Sequence, residues 1–465
     1  MFILNNYDTV PLYKQLYRQI REQVLSGKLP AHAKLPSVRD LAAELSTSRN
    51  TVEGAYQELY AEGYIYSRQR SGYFVSALDH DVVPQPPSRE PRRQARPPQP
   101  NLPTYRYNFH PARLDPSSFP AALWRTCFLE CLRECSAELS HYGDPQGDWG
   151  LRSNIQQYLE RSRGVLCEPD QIVICAGLQQ GLEILAHLLQ DSHSSVAVED
   201  PGYHLPRSVF RNNSFHVVPV AVGPSGMDLE QLRTGDSTIA YVTPSHQLPM
   251  GYVMPIANRL NLIDWAQSGG NLIIEDDYDS ELRYHGKPIP SLQGLRPDGN
   301  IVYMGTFSKI LSPALRLSYM VLPRSLLAPF HANYDDYFST VSLLEQKTMA
   351  KFMEQGCWER HVRRMRIIYK RKHDALLQAV EHYFSNKVTV VGQGAGLHVV
   401  LQLHEENAGE TEILRRAAHK GINLFPFSAT CATGGSVSTI LLLGFGGMNA
   451  AEIEQGIKLL SELCF

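Results

Sequence analysis

Eight prolines fall among the 25 residues 79–103. No helix or sheet can run through such a stretch, because each proline lacks an amide hydrogen and fixes its own φ. The chain is therefore expected to fold as two pieces: a head of residues 1–78 and a body of residues 106–465, joined by a Pro/Arg-rich tether over residues 79–105. Four arginines between Arg89 and Arg96 make the tether basic, and its length lets the head reach a site that the body does not touch. The net charge of −3 conceals an asymmetry between the pieces. Residues 1–78 hold nine Lys/Arg and seven Asp/Glu, residues 79–103 four and three, and the remainder 31 and 37. A mildly basic head on an acidic body suits a small DNA reader joined to something larger.

The 465 residues suggest roughly three folded units at ~150 per domain. With 43% hydrophobic and 20% charged residues the chain can bury a large core, which excludes a disordered tail. No apolar run approaches the ~20 residues that span a bilayer, so an integral membrane protein is not expected. The first residues show no secretory signal, and none of the eight cysteines occurs as CxxC. A reduced, cytoplasmic setting is expected.

In the head, Leu12, Leu16, Ile20 and Val24 recur at helical spacing between Pro11 and Ser26, and Gly27 stops the run. Ser37 can cap a second helix, Val38 to Leu45, with Leu41, Ala42 and Leu45 inward. After the break Ser46-Thr47-Ser48, a third helix from Arg49 to Glu62 buries Val52, Ala55, Tyr56 and Leu59. Tyr64-Ile65-Tyr66 and Tyr73-Phe74-Val75 then read as strands around the basic hairpin Ser67-Arg68-Gln69-Arg70-Ser71-Gly72. This is a winged helix-turn-helix pattern. Ser48, Arg49, Asn50 and Thr51 stand where a recognition helix meets base edges, and Arg39, Arg68 and Arg70 are placed for phosphate or minor-groove contacts on double-stranded promoter DNA.

In the body, Ile172–Ile174, Ser195–Val198, Ile239–Val242, Asn271–Ile274 and Ile301–Met304 read as buried strands. Helical stretches such as 179–190 and 255–267 separate several of them, so an α/β fold with a largely parallel sheet is expected. Ligands of such sheets gather at the strand carboxyl ends. There lie Gly305-Thr306-Phe307-Ser308-Lys309 with Arg316, Glu275-Asp276-Asp277-Tyr278, and Glu199-Asp200-Pro201-Gly202-Tyr203. A lysine flanked by hydroxyls and an arginine has the parts to hold an aldehyde-bearing phosphate by a Schiff base. A carboxylate can keep a pyridinium nitrogen protonated, a tyrosine can reach the ring's phenolic oxygen, and another can stack on the ring.

Leu35-Pro36-Ser37, Arg39, Leu41-Ala42, Ser48-Arg49, Thr51-Val52, Ala55-Tyr56, Leu59 and Gly63 resemble the GntR family of bacterial regulators. The ordered set Tyr142-Gly143-Asp144-Pro145, Ala176-Gly177-Leu178-Gln179-Gln180, Glu199 to Tyr203, Pro244-Ser245-His246-Gln247, Glu275 to Asp279 and Gly305 to Lys309 resembles fold-type I aminotransferases. Together they resemble the MocR subfamily (GabR- and PdxR-like), which fuses a GntR-type head to such a body. The resemblance covers nearly the whole chain. It implies a pyridoxal 5′-phosphate-binding aminotransferase-like domain with a smaller C-terminal α+β subdomain. It further implies Lys309 as the Schiff-base lysine, Asp276 at the ring nitrogen, Tyr278 at the phenolic oxygen and Tyr203 stacked on the ring. Gly177, Leu178 and Gln179, through backbone amides at a helix start, would hold the phosphate with Thr306, Ser308 and Arg316. A head-to-tail homodimer is also implied.

Departures from the pattern shape the functional expectation. Leu442, in Leu441-Leu442-Leu443-Gly444-Phe445, stands where active relatives carry the arginine that pairs with a substrate carboxylate. Leu248 stands where catalytic aminotransferases carry an asparagine, a loss shared by the regulators. In the head, Ser46-Thr47 departs from the usual turn. Arg207 is open to two readings: a substitute carboxylate partner for an effector, or an ordinary helix arginine. His246 is equally open, as a cofactor contact or a hydrogen-bonded loop histidine. Cys127, Cys131 and Cys135 recur every four residues and are expected to pack in the core rather than hold a metal. The basic run Arg360, Arg363, Arg364, Arg366, Lys370, Arg371 and Lys372 is expected to be a solvated helix face. The expected protein is a transcriptional regulator that senses an amine, an amino acid or pyridoxal phosphate itself; the alternative is a working aminotransferase with an accessory DNA-binding head.

Overall fold

The computed structural model describes residues 2–5, 8–68, 71–77, 105–284, 289–404, 409–432 and 439–465. They divide into two compact units, with the division between Leu102 and Pro103. The expected bounds of the tether, residues 79–105, lie almost wholly outside the described residues.

In the first unit, the helix Leu12–Leu25 starts after Pro11, and the helices Val38–Glu44 and Arg49–Ala61 start at capping serines. Ser37 and Ser48 side chains accept the Asp40 and Thr51 amides, each at 3.1 Å, satisfying donors that the first helical turn leaves open. Leu16, Ile20, Val24, Leu41, Val52, Ala55, Tyr56 and Leu59 form one core with Ile65 and Val75; Leu45 is only half-buried. Ser46, just past the second helix, takes a left-handed φ of 50°, a place where glycine is the easier residue. The turn still closes, because the Thr47 amide donates to the Ala42 carbonyl at 3.0 Å.

The antiparallel hairpin pairs Ile65–Arg68 with Gly72–Val75. Two features differ from the sequence expectation. The first strand omits Tyr64 and runs on through Arg68, because pairing continues to Arg68 opposite Gly72; the Arg68 guanidinium lies 5.5 Å from the Tyr66 ring and 5.0 Å from that of Phe74. Lys34 also bridges to Phe74, adding an edge that no periodicity announces.

In the second unit an eight-stranded sheet runs in the spatial order 172–175, 318–321, 301–306, 272–277, 239–242, 195–200, 216–223, 226–227. The strands Ile301–Thr306, Leu272–Asp277, Ile239–Val242, Ser195–Asp200 and His216–Gly223 are parallel neighbours. Most of these strands are buried along their length, which is why they read as continuous apolar runs. They are longer than the runs suggest. Glu199-Asp200, Glu275-Asp276-Asp277 and Gly305-Thr306 are the last residues of strands rather than loops after them, because sheet pairing continues through them.

A three-stranded antiparallel sheet, Val388–Val391, His398–Leu403 and Ile440–Gly444, packs with the helices Cys357–Phe384 and Ala450–Cys464 around the largest core. Tyr107–Asn108 pairs in parallel with Ile422–Asn423, tying the start of the unit to its C-terminal part. Cys127 and Cys131 are buried on the helix Ala121–Glu134, and no metal-holding cluster occurs among the described residues. The basic helix face is solvated except at Lys372, which is buried and ion-paired with Asp115 at 2.7 Å. Among the described residues no helix is long and apolar enough to cross a membrane.

Leu59 is fully buried where all three head helices meet the hairpin. Leu59→Ala should cost the head about 2–5 kcal/mol. Calorimetry of the full chain should show a head transition moved to lower temperature with the body transition unchanged.

Candidate functional site

A cavity of about 400 Å³ opens at the carboxyl ends of the parallel strands. Its wall brings together Leu178, Gln179, Tyr203, Asp276, Tyr278, Thr306, Ser308, Lys309 and Arg316 from separate segments of chain. Strand alternation selects Asp276 from its acidic run, since neighbouring side chains point to opposite faces. Glu275 accepts the Leu292 and Gln293 amides at 2.8 and 3.1 Å, and Asp277 pairs with Arg163 at 2.6 Å. Asp276 alone of the three faces the cavity, where the Tyr241 hydroxyl donates to it in a short hydrogen bond. Burial pushes the Asp276 carboxyl up to about 7, against the pull of that hydrogen bond.

Lys309 reaches the cavity from the turn after the strand Ile301–Thr306, with Nζ donating to the Pro111 carbonyl at 3.5 Å. Desolvation lowers its pKa and favours the neutral, nucleophilic amine, while Asp279 and Asp276 pull the other way. Thr306 Oγ1 accepts from the Ser308 amide at 3.1 Å and from Ser318 Oγ at 2.8 Å, which leaves its own hydrogen free to donate.

Gly177 has a φ of 86°, and a Cβ there would collide with the Arg316 guanidinium. Arg316 itself holds a left-handed φ of 51°, with Nη2 donating to the Ala176 carbonyl at 3.3 Å. This corrects one expected contact. The Gly177 amide donates to the Cys175 carbonyl at 2.8 Å, so its contribution is space for Arg316 rather than a hydrogen bond to a ligand. The Leu178 and Gln179 amides open the helix Leu178–Leu189, where the first turn has no intrahelical acceptors.

Behind the wall, His246 Nδ1 lies 2.8 Å from Asp279 Oδ2 and 3.1 Å from the Tyr278 hydroxyl. With the proton on Nδ1, the ring donates to Asp279 Oδ2 and lies within reach of the Tyr278 oxygen. The Tyr278 hydrogen is then free to point into the cavity. His246 thus acts on the wall through Tyr278, which decides its two readings in favour of a hydrogen-bonded position behind the site.

Arg207 does not line the cavity. It is buried, Nη2 donates to the Ala429 carbonyl at 2.9 Å, and Nη1 lies 3.9 Å from Asp200. That placement corrects its reading as an effector contact: the neighbouring carboxylate already faces its charge. Leu248 and Leu442 do line the cavity. Sequence reasoning missed Tyr241 and Thr243, which lie in or next to an apolar strand and looked like core, and the His110–Ala112 loop and Phe425, which arrive from far along the chain.

In the head, Arg39, Arg49, Asn50 and Arg68 are exposed. Ser48 and Thr51 hydroxyls bond each other at 2.8 Å as part of the helix cap, so their first duty is to set the start of the third helix. Arg70 lies outside the described residues.

The model of bacterial regulatory proteins of the gntR family matches residues 12–75, and that of class I and II aminotransferases matches residues 126–459. The chain is 39% identical to the HTH-type transcriptional regulator YdeL of Bacillus subtilis (strain 168), over 98% of this chain and 97% of that one. It is 34% identical to the probable rhizopine catabolism regulatory protein MocR of Rhizobium meliloti, over 98% and 94%. The chain belongs to the MocR-type HTH transcriptional regulators. The aminotransferase-like unit of this MocR-type regulator is similar to LysN, the α-aminoadipate aminotransferase of Thermus thermophilus, solved with N-(5′-phosphopyridoxyl)-L-leucine. The TM-score is 0.68 at 25% identity, covering 77% of this chain and 91% of that one. A fold of that kind belongs to pyridoxal-phosphate-dependent proteins, and a GntR head is of DNA-binding type.

Gly177→Ala should push Arg316 from its seat and weaken binding of phosphate-bearing pyridoxal about tenfold or more, while pyridoxal without the phosphate is little affected. Parallel absorbance titrations with the two aldehydes would check this.

Proposed function

We propose that this regulator binds pyridoxal 5′-phosphate in the body cavity and reads promoter DNA with its head, and that the state of the cavity sets how the heads are presented. The carrying observation is the convergence on one cavity of Lys309, whose amine is desolvated, and a buried Asp276. The donor set fits the cofactor. Asp276, held near neutrality by burial, regains its charge opposite a protonated ring nitrogen. The pocket at Gly177, which a Cβ would fill, seats Arg316 beside the opening turn of the helix Leu178–Leu189, a suitable cradle for a phosphate dianion. Bound there, pyridoxal phosphate would supply an aldehyde able to condense with a primary amine and a ring that withdraws electrons.

The chain's own residues have separable duties in this reading. Lys309, whose charged form desolvation disfavours, would present its amine to the aldehyde. Tyr241 holds the Asp276 carboxylate toward the ring nitrogen. Tyr278, proton-supported by His246, donates to the phenolic oxygen, and Tyr203 covers the ring face. Thr306, Ser308, Arg316 and the Leu178 and Gln179 amides receive the phosphate. In the head, Arg49, Asn50 and Thr51 read base edges, Ser48 fixes their helix, and Arg39, Arg68 and Arg70 contact phosphates or the minor groove.

The signal is an amine, an amino acid or the cofactor itself, and it acts because it binds two arrangements of the protein unequally. Residues 79–105 serve as the tether, the protein acts in the cytoplasm where promoter DNA lies, and two chains pair head to tail. An exposed apolar surface on the body supports pairing: Tyr142 stacks on Phe338 at 4.1 Å, with Trp149 and Tyr337 also exposed.

A working aminotransferase would also use Lys309, but Leu442 and Leu248 in the wall argue for sensing over turnover. A panel of amino donors and 2-oxo acids should give no robust multiple turnover. Borohydride reduction of the loaded protein should leave a pyridoxyl mass on Lys309. Lys309→Ala should keep its affinity for the operator and lose the response to the effector, measured by fluorescence anisotropy on labelled promoter DNA. Loss of DNA binding in a folded variant would refute this division of labour.

A further inference from the structure

We propose that the part of the cavity not taken by the cofactor residues accepts a primary amine with an apolar tail and no carboxylate, a proposal that rests on the cofactor reading above. Lys309 and Arg316 are the Lys and Arg side chains in the wall among the described residues, and both already have duties toward the cofactor. What remains of the wall is uncharged. Leu205, Leu248, Phe425 and Leu442 present hydrocarbon or an aromatic ring.

Two imidazoles flank that ring. His110 meets Phe425 edge-on at 5.1 Å, and His204 stacks on it at 6.3 Å. Burial lowers the pKa of both, helped by Lys309 and Arg113 at His110 and by Arg207 at His204, so both are neutral at physiological pH. The three rings form an aromatic wall suited to an aryl or alkyl group.

A carboxylate brought against this wall would give up its water and, apart from Lys309 and Arg316, meet no cation among the described lining residues. Arg207 is not among the lining residues: Nη2 donates to the Ala429 carbonyl at 2.9 Å and Nη1 lies 3.9 Å from Asp200. An apolar tail gains in proportion to the area it buries on Leu248, Phe425 and Leu442. The amine end follows from the aldehyde chemistry; the wall selects the tail.

Phenethylamine and L-phenylalanine share one tail and differ by the carboxylate. Full-length protein loaded with pyridoxal phosphate would be titrated with each, following the absorption band of the bound cofactor. Phenethylamine is expected to saturate the change at a concentration at least ~10-fold below that of phenylalanine. Leu442→Arg should narrow or invert that ratio; if this variant does not fold, the wild-type pair decides alone. Equal or tighter binding of phenylalanine would overturn the proposal. So would a loaded protein whose band responds to neither compound, which would leave the cofactor itself as the signal. A protein that shows no cofactor band before any amine is added would instead refute the cofactor reading, and this proposal with it.

Discussion

The half-buried Lys309 and the buried Asp276 carboxyl meet at one cavity, and the body is arranged around the cost of taking them from water. Desolvation disfavours the charged form of each, lowering the lysine and raising the carboxyl to about 7. Neither group is neutralised by a direct ion pair with the other; instead each has a polar neighbour, Pro111 for the lysine and Tyr241 for the aspartate. The pair is thus left ready for a ligand that is itself charged and polar. Such an arrangement needs rigid support, which the parallel strands provide by delivering both groups from adjacent strand ends.

The support extends one layer further. Glu275 and Asp277 flank Asp276 but point to the other face, where helix amides and Arg163 satisfy them. Arg163 also donates to Ser245 at 2.7 Å, so the same guanidinium anchors the segment that carries His246. His246 in turn orients Tyr278. A short acidic run therefore does three jobs: capping a helix, facing the cavity and fixing a loop. The division follows from strand alternation and from which partners the fold places on each face.

The cavity wall combines polar and apolar side chains. Arg316, Thr306 and Ser308 supply polar groups to the lining, while Leu248, Phe425 and Leu442 supply apolar ones. In the proposed reading, the two leucines leave the wall without polar handles for an amino-acid substrate, while the residues proposed to hold the cofactor remain. A similar division appears in the head. Ser48 and Thr51 join their hydroxyls at the helix cap, and beside them Arg49 and Asn50 stand exposed at the start of the helix proposed to read DNA.

Much of this was legible in the residues. Helical spacing and capping serines located the three head helices to within a residue or two, because those signals are local. Apolar runs located the central strands, and the motifs at their ends pointed to Lys309, Asp276 and Arg316. The ends of the strands were not legible, since pairing continues through charged residues that no hydrophobic pattern includes. It took the folded chain to show that Tyr241 faces Asp276, that Arg207 turns toward Asp200, and that His110 and Phe425, from opposite ends of the body sequence, meet edge to edge. The order of residues specified which chemistry was present. Folding decided which groups share a cavity, because distance along a chain says nothing of distance across a sheet.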